Sequence, residues 1–128
     1  MSTILLPIKP IYVNKIFDGV KQFEYRRVGC KQLPDKIIIY ATAPIKKVVG
    51  EVDVFETLRY SPDMIWDITN DYAGVSKEEF DSYFKGIDIA TAYQIGNGKK
   101  YITPKSLSNY GIDYAPQSFV YLKEVQGE

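Results

Sequence analysis

The fold of this chain is decided by the stretch Gly19-Val20-Lys21-Gln22-Phe23-Glu24-Tyr25-Arg26-Arg27. From residue 23 onward, ring-bearing and charged side chains alternate, which is typical of a strand with one buried face. The alternation predicts Phe23 and Tyr25 in the core, and Glu24 and Arg26 together on the opposite face. It does not fix the direction of Lys21, because this residue lies where a preceding helix is predicted to end.

Around this stretch the sequence predicts about six strands and three short helices. Helix starts are indicated by Pro10, by Ser61-Pro62 and by a capping box that joins Ser76 to Glu79. Asn97-Gly98 is a strong hairpin-turn signal and predicts that two short strands meet there. The predicted strands cover residues 3–8, 21–27, 36–42, 46–58, 87–95 with 99–102, and 118–125. This pattern predicts one α+β domain, residues 1–128, built on a mixed, barrel-like sheet.

Composition limits the class of protein and the chemistry open to it. The 128 residues are 45% hydrophobic and 25% charged, which is ordinary for a globular domain and excludes disorder. No apolar run reaches the roughly 20 residues of a membrane span, and no signal peptide is recognised, so a cytoplasmic protein is expected. Cys30 is the single cysteine and histidine is absent. Histidine-based triads and histidine-containing zinc sites are therefore excluded, and no metal or cofactor is predicted.

The charge is balanced over the whole chain but not along it. Lysine and arginine outnumber aspartate and glutamate by nine to three in residues 1–50, whereas residues 51–128 hold seven basic and thirteen acidic residues. A basic half can present a local surface for a polyanion. The two halves can equally well attract each other across the fold, and the sequence leaves both interpretations open.

Four stretches together resemble the ASCH domain of the PUA-like superfamily. They are Gly19 to Arg27, which is similar to a Gly-x-Lys-x-x-Glu-x-Arg signature, Ile39-Tyr40-Ala41-Thr42-Ala43-Pro44 leading into Val48-Val49-Gly50-Glu51, Tyr83-Phe84-Lys85-Gly86, and Pro116-Gln117-Ser118-Phe119. The resemblance covers most of the chain and points to the small stand-alone ASCH proteins of bacteria, archaea and phages. It implies a PUA-like mixed β-barrel of about six strands with short helices inserted around it.

The resemblance also implies a cleft for RNA or a nucleotide, lined by the signature segment. Arg26 would hold a phosphate or a base edge, Lys21 would act as a mobile cation, and Glu24 would accept from a base or orient its neighbours. Lys9, after the first strand, is either a cleft residue or a solvated lysine at a helix start. The plain alternative for Glu24 and Arg26 is an ion pair on a solvated surface, which contributes little stability.

Six further residues are candidates for nucleic-acid binding, each with a structural alternative. Tyr40 and Thr42 share one face of a strand end, where Tyr40 would stack on a base or simply complete the core. Tyr83 and Lys85 follow a helix, and a lysine at that end also complements the helix dipole. Two polar side chains before the last strand would read a base edge or stabilise a turn; these are Gln117 and Ser118.

Two functions from different classes remain open at this point, and the oligomeric state is not indicated. The first is binding of RNA or a nucleotide, with a regulatory role. The second is hydrolysis, because some ASCH proteins resemble ribonucleases and others resemble N4-acetylcytidine amidohydrolases that use a lysine, a threonine and a glutamate. Lys21 matches that lysine, but Glu24 stands where the threonine is expected. A carboxylate so close should also keep the lysine protonated, which predicts weak or no amidohydrolase activity.

Overall fold

The computed structural model describes residues 2–123, and they form six strands and three helices. The strands are β1 (Thr3–Ile8), β2 (Phe23–Arg26), β3 (Lys36–Ala41), β4 (Lys47–Tyr60), β5 (Ala90–Lys105) and β6 (Val120–Leu122). The helices are α1 (Pro10–Phe17), α2 (Pro62–Thr69) and α3 (Lys77–Tyr83), and two short 3-10 turns cover Asn70–Tyr72 and Leu107–Tyr110. Residues 124 and 125 of the predicted last strand lie outside the described residues.

All six strands belong to one mixed sheet in the order β2-β5-β4-β3-β1-β6. β1 and β3 are parallel, and every other pair is antiparallel. The predicted α+β class and mixed sheet are confirmed, but the predicted barrel is wrong, because the sheet does not close. Its edge strand β2 is instead tied to β1 by a side chain: Arg26 Nη2 donates a hydrogen bond of 2.8 Å to the carbonyl oxygen of Pro7.

The centre of the sheet is an aliphatic core. β1 and β3 are apolar on both faces, as expected of neighbouring parallel strands covered on both sides. Their register places Ile4 opposite Ile37 and Leu6 opposite Ile39, and all four side chains are buried. Packing of α1 on one face of this strand pair therefore follows directly from the apolar sequences of the two strands.

The hairpin predicted at Asn97-Gly98 is not formed. The chain continues through these residues as one long strand, β5, which pairs with the long strand β4. The register shifts between Glu51 and Asp53, so one extra residue of β5 is accommodated as a bulge. Asn97 adopts a left-handed φ of 53° there, and its amide donates to Asp53. The dipeptide marks a left-handed residue in both arrangements, which is why its local signal does not distinguish a bulge from a turn.

The helix starts lie where the sequence places them. Ser61 caps α2 by accepting from the backbone of Met64, and the capping box between Ser76 and Glu79 is formed in full at α3. α3 is thereby fixed at its first turn, next to β2 and α1, where it forms one side of the site described below. Among residues 2–123, no helix is long and apolar enough to cross a membrane.

Candidate functional site

A cleft of about 620 Å³ opens between the end of β1, the start of α1, strand β2 and helix α3. Its lining brings together three cationic side chains, three carboxylates and several aromatic rings. The charged members are Lys9, Lys21, Arg26, Glu24, Glu78 and Glu79, and the ring-bearing ones are Tyr12, Tyr25, Phe80 and Tyr83. The signature segment, residues 19–27, thus forms one wall of this cleft.

An aromatic cluster holds β2 against α3. The ring of Tyr25 packs edge-on against Phe80 and Phe84 at centroid distances of 5.0 and 6.1 Å. Its hydroxyl shares a 2.7 Å hydrogen bond with Thr69, and burial raises the pKa of Tyr25 to about 12. Phe23 belongs to the same buried cluster. The register of β2 therefore points Glu24 and the guanidinium of Arg26 away from the cluster, toward the cleft.

Lys21 is buried at the base of the cleft, with only 3% of its surface exposed. Its ammonium nitrogen donates a 2.9 Å hydrogen bond to the carbonyl oxygen of Ala73 and lies over the rings of Tyr25 and Tyr12, at 4.6 and 5.5 Å from their centroids. The predicted mobile cation is therefore wrong. Burial lowers the pKa of Lys21, because removal from water penalises the charged form.

Glu24 and Arg26 form a shielded ion pair. Nε and Nη2 of Arg26 lie 3.2 and 2.9 Å from the same carboxylate oxygen of Glu24, and the two side chains are only 18% and 9% exposed. The solvated surface pair considered from the sequence is therefore wrong. The carboxylate of Glu24 raises the pKa of Lys21, as expected from the sequence, but burial has the larger effect and the net shift is downward.

The opposite wall contains a second polar contact, which sequence reasoning missed. The hydroxyl of Tyr12 on α1 donates a 3.1 Å hydrogen bond to Glu79 on α3. Burial, followed by the hydrogen bond to Glu79, raises the pKa of Tyr12. Glu79 was recognisable as a capping residue, but its second role depends on how α1 and α3 are brought together. Helical spacing places Tyr12 one residue before Val13 of the buried face, and that alone does not indicate a site.

The structure gathers five of the ten predicted binding residues around the cleft and places the other five elsewhere. Lys9, Lys21, Glu24, Arg26 and Tyr83 line it, and Tyr83 packs under the guanidinium of Arg27 at 4.7 Å. Tyr40 is buried in a separate cluster with Leu5 and Val48. The remaining four lie outside the lining: Thr42 is half-buried, and Lys85, Gln117 and Ser118 are exposed. The ligand roles of all ten residues stay predictions.

Comparison with solved structures identifies the fold. The ASCH protein of Zymomonas mobilis matches with a TM-score of 0.84 and 26% identity, over 95% of this chain and 88% of that one. A tyrosine-to-phenylalanine variant of it matches with a TM-score of 0.85 and 25% identity, over 97% and 92%. The chain is an ASCH domain protein. The resemblance read from residues 19–27 and three other stretches is thereby confirmed.

The relatives found by sequence differ in their names and in how much of their length this chain covers. No family model matches the chain. A Zymomonas mobilis protein named as an ASCH domain-containing ribonuclease is 29% identical over 90 residues, which are 70% of this chain and 61% of that protein. The large ribosomal subunit protein uL22 of Ureaplasma parvum is 32% identical over 124 residues. This ASCH chain spans only 40% of the uL22 length, so that likeness concerns a part of the ribosomal protein.

Proposed function

We propose that this ASCH protein binds RNA in the cleft and cleaves its phosphodiester backbone. The observation that carries the proposal is the environment of Lys21, a buried amine with a lowered pKa at the base of a wide cleft. A lysine whose proton is held less tightly is better suited to accept and donate protons than an ordinary lysine. A relative that is named as a ribonuclease supports RNA as the substrate.

In the proposed reaction the neutral amine of Lys21 takes the proton of a ribose 2′-hydroxyl. The oxygen then attacks the adjacent phosphorus, the bond from phosphorus to the 5′-oxygen breaks, and that oxygen takes up a proton. The products are a 2′,3′-cyclic phosphate and a 5′-hydroxyl. The reaction needs no histidine and no metal ion, which agrees with the residues that line the cleft.

Two further residues have defined parts in this scheme. Arg26 is held by Glu24 and by the carbonyl of Pro7, and its fixed cation would stabilise the charge that develops on the phosphate. Tyr12 remains protonated at neutral pH, because its pKa is raised, and its hydroxyl supplies a proton donor on the facing wall. Acid–base catalysis requires one group that accepts a proton and one that donates a proton, and Lys21 and Tyr12 would supply these two roles.

Binding of RNA or a nucleotide without cleavage is the second candidate function. One observation favours it over cleavage: Glu24 neutralises part of the charge of Arg26, which weakens the stabilisation that this cation would give to a developing negative charge. The amidohydrolase alternative is less well supported, because no hydroxyl stands at residue 24.

The test is a cleavage assay with a single-stranded RNA labelled at its 5′ end. We expect the wild type to release fragments with cyclic phosphate ends at a rate that rises with pH as Lys21 loses its proton. Replacing Lys21 with Met should reduce the rate by about 10²- to 10⁴-fold, as for other lost acid–base groups. Lys31→Met, at an exposed site outside the lining, is the matched control.

The outcomes separate the two candidates. Wild type that binds the labelled RNA but leaves it intact at every pH supports binding alone. Cleavage that survives in Lys21→Met would contradict the catalytic role given to this lysine. Equal and very weak affinity of the wild type and an Arg26→Met variant for RNA and nucleotides at low salt would contradict the cleft as the binding site.

A further inference from the structure

The charge of the cleft does not account for affinity toward an RNA strand. Its lining holds three cationic side chains against three carboxylates, so the phosphates of an RNA chain meet no net positive charge inside it. Strands of RNA are held mainly through lysine and arginine contacts to the phosphates. A protein that acts on RNA in this cleft therefore needs cations outside it, near its mouth.

Such cations lie on the turn between β3 and β4, which is bonded to the end of β1 just before Lys9, a lysine that lines the cleft. The carbonyl oxygen of Ile8 accepts a 3.0 Å hydrogen bond from the backbone of Thr42, so the turn between β3 and β4 lies next to Lys9. This turn carries Lys46 and leads into Lys47, and both residues are exposed. Among the ion pairs of residues 2–123, none includes Lys9, Lys46 or Lys47, whereas Lys36 and Lys77 each have a carboxylate partner.

The backbone of Lys46 supplies an independent observation. Its φ is 53°, in the left-handed region that glycine and asparagine adopt most readily. A lysine there is conformationally unfavourable, and the residue contributes nothing to the core because it is exposed. Residues held in unfavourable backbone conformations cluster at functional sites. The positive charge at this turn is therefore better explained by an external ligand than by stability.

We propose that Lys46 and Lys47, together with Lys9, form a surface that binds the phosphates of a single-stranded RNA as it leaves the cleft. This inference deepens the proposed function and rests on it. It assigns the substrate class: an RNA strand several nucleotides long, whose backbone continues from Lys9 along the β3–β4 turn, rather than a free nucleotide.

The experiment measures binding of two fluorescein-labelled RNAs, a 12-mer and a trinucleotide, by fluorescence anisotropy. The variant Lys46→Asn/Lys47→Gln removes both charges, and asparagine accepts the left-handed conformation. We expect its Kd for the 12-mer to rise roughly 10- to 30-fold at 0.1 M salt and its salt dependence to flatten by about 1.4, since each phosphate contact contributes about 0.7. The Kd for the trinucleotide and the midpoint of thermal unfolding should stay unchanged.

Two controls make the result specific. Lys46→Arg/Lys47→Arg keeps both charges and should bind like the wild type. Lys31→Gln removes a lysine at the opposite end of the sheet, where Gln32 contacts Tyr121 of β6, and should also have no effect. An unchanged Kd for the 12-mer in the Lys46→Asn/Lys47→Gln variant, or an equal loss of affinity for both RNAs, would overturn this inference but not the proposed function. Failure of the wild type to bind either RNA would overturn the proposed function, and this inference with it.

Discussion

The β1–β3 strand pair and the β2 wall are both buried, yet they are built from opposite kinds of residue. In the strand pair, the buried side chains are aliphatic, and Ile4, Leu6, Ile37 and Ile39 are each no more than 1% exposed. In the β2 wall, the segment from Lys21 to Arg26 buries a lysine and a shielded ion pair beside aromatic rings. Burying ionised groups costs free energy, whereas burying aliphatic groups gains it.

This contrast separates residues whose burial stabilises the fold from residues whose burial costs free energy. An aliphatic core needs no further explanation, because each side chain is more stable there than in water. A buried amine such as Lys21 is different, since a methionine of similar length would fill the same space without the cost of losing water. The β2 wall is therefore less stable than an aliphatic wall of the same shape would be, and variants of the two regions should behave differently.

The largest expected effect on stability comes from the strand pair. Ile39→Ala should lower the free energy of unfolding by about 2–5 kcal/mol, because it removes buried methyl groups and leaves a cavity. Urea unfolding followed by circular dichroism measures the change. Ile102→Ala, the same substitution at a fully exposed position of β5, should change stability by less than about 0.5 kcal/mol. Similar values for the two variants would contradict the assignment of this core.

The β2 wall should be nearly as sensitive to loss of one partner of its ion pair. Arg26→Met leaves the carboxylate of Glu24 shielded and unpaired and removes the bond to Pro7, so we expect a loss of about 3 kcal/mol. Lys77→Met is the matched control, because Lys77 pairs with Asp81 at the surface, with half of each side chain exposed. It should cost less than about 1 kcal/mol. A small effect in both variants would show that Arg26 is solvated in solution.

Much of the strand pair and of β2 could be predicted because the relevant signals are local. Apolar runs give buried strands, alternation gives the register of Phe23 to Arg26, and the Ser76 capping box gives the start of α3. The open sheet and the bulge at Asn97 could not be predicted, since both depend on how β4 and β5 pair over their whole length.

The state of Lys21 depends on even more distant parts of the chain. Its hydrogen-bond acceptor, Ala73, is 52 residues away in sequence, and the rings above it come from α1 and β2. Motif matching finds the lysine but not its burial, and so does not predict that the pKa of Lys21 is lowered. Tyr40 illustrates the opposite error: its place at a strand end suggested a stacking surface, but long-range packing against Leu5 buries it.

The contact between Gly74 and Lys21 offers a smaller and more selective perturbation of the β2 wall. Gly74 has a φ of +69°, and a Cβ there would lie 2.5 Å from the Cβ of Lys21. Gly86 has a similar φ of +80° but nothing within 4 Å of such an atom. Both alanine variants should lose about 1–2 kcal/mol from the backbone conformation alone. Only Gly74→Ala should also displace Lys21 and lower RNA cleavage, and equal cleavage by the two variants would contradict this positioning role.

The smallest effect is the dependence of stability on Lys21 ionisation, and its sign distinguishes the β2 wall from an ordinary core. The pKa of Lys21 is lowered in the folded state from 10.5, so between the two values the unfolded chain binds more protons than the folded one. The free energy of unfolding must then rise with pH, by at most about 1.4 kcal/mol per pH unit. At pH values below the pKa of Lys21 in the folded protein, the buried charge lowers the free energy of unfolding by its full amount. At pH values above 10.5 the amine is neutral in both states, and this destabilisation is absent.

Lys21→Met isolates this contribution, because the tyrosines and other lysines titrate in both proteins and largely cancel in the difference. We expect the wild type minus Lys21→Met difference in unfolding free energy to increase in favour of the wild type as the pH rises toward 10.5. Urea titrations at intervals from pH 7 to pH 10.5 measure it. A difference that stays constant over this whole range would mean that Lys21 titrates as it does in water, so the amine would be charged when RNA binds. Lys21 would then act on the substrate as a cation and not as a base.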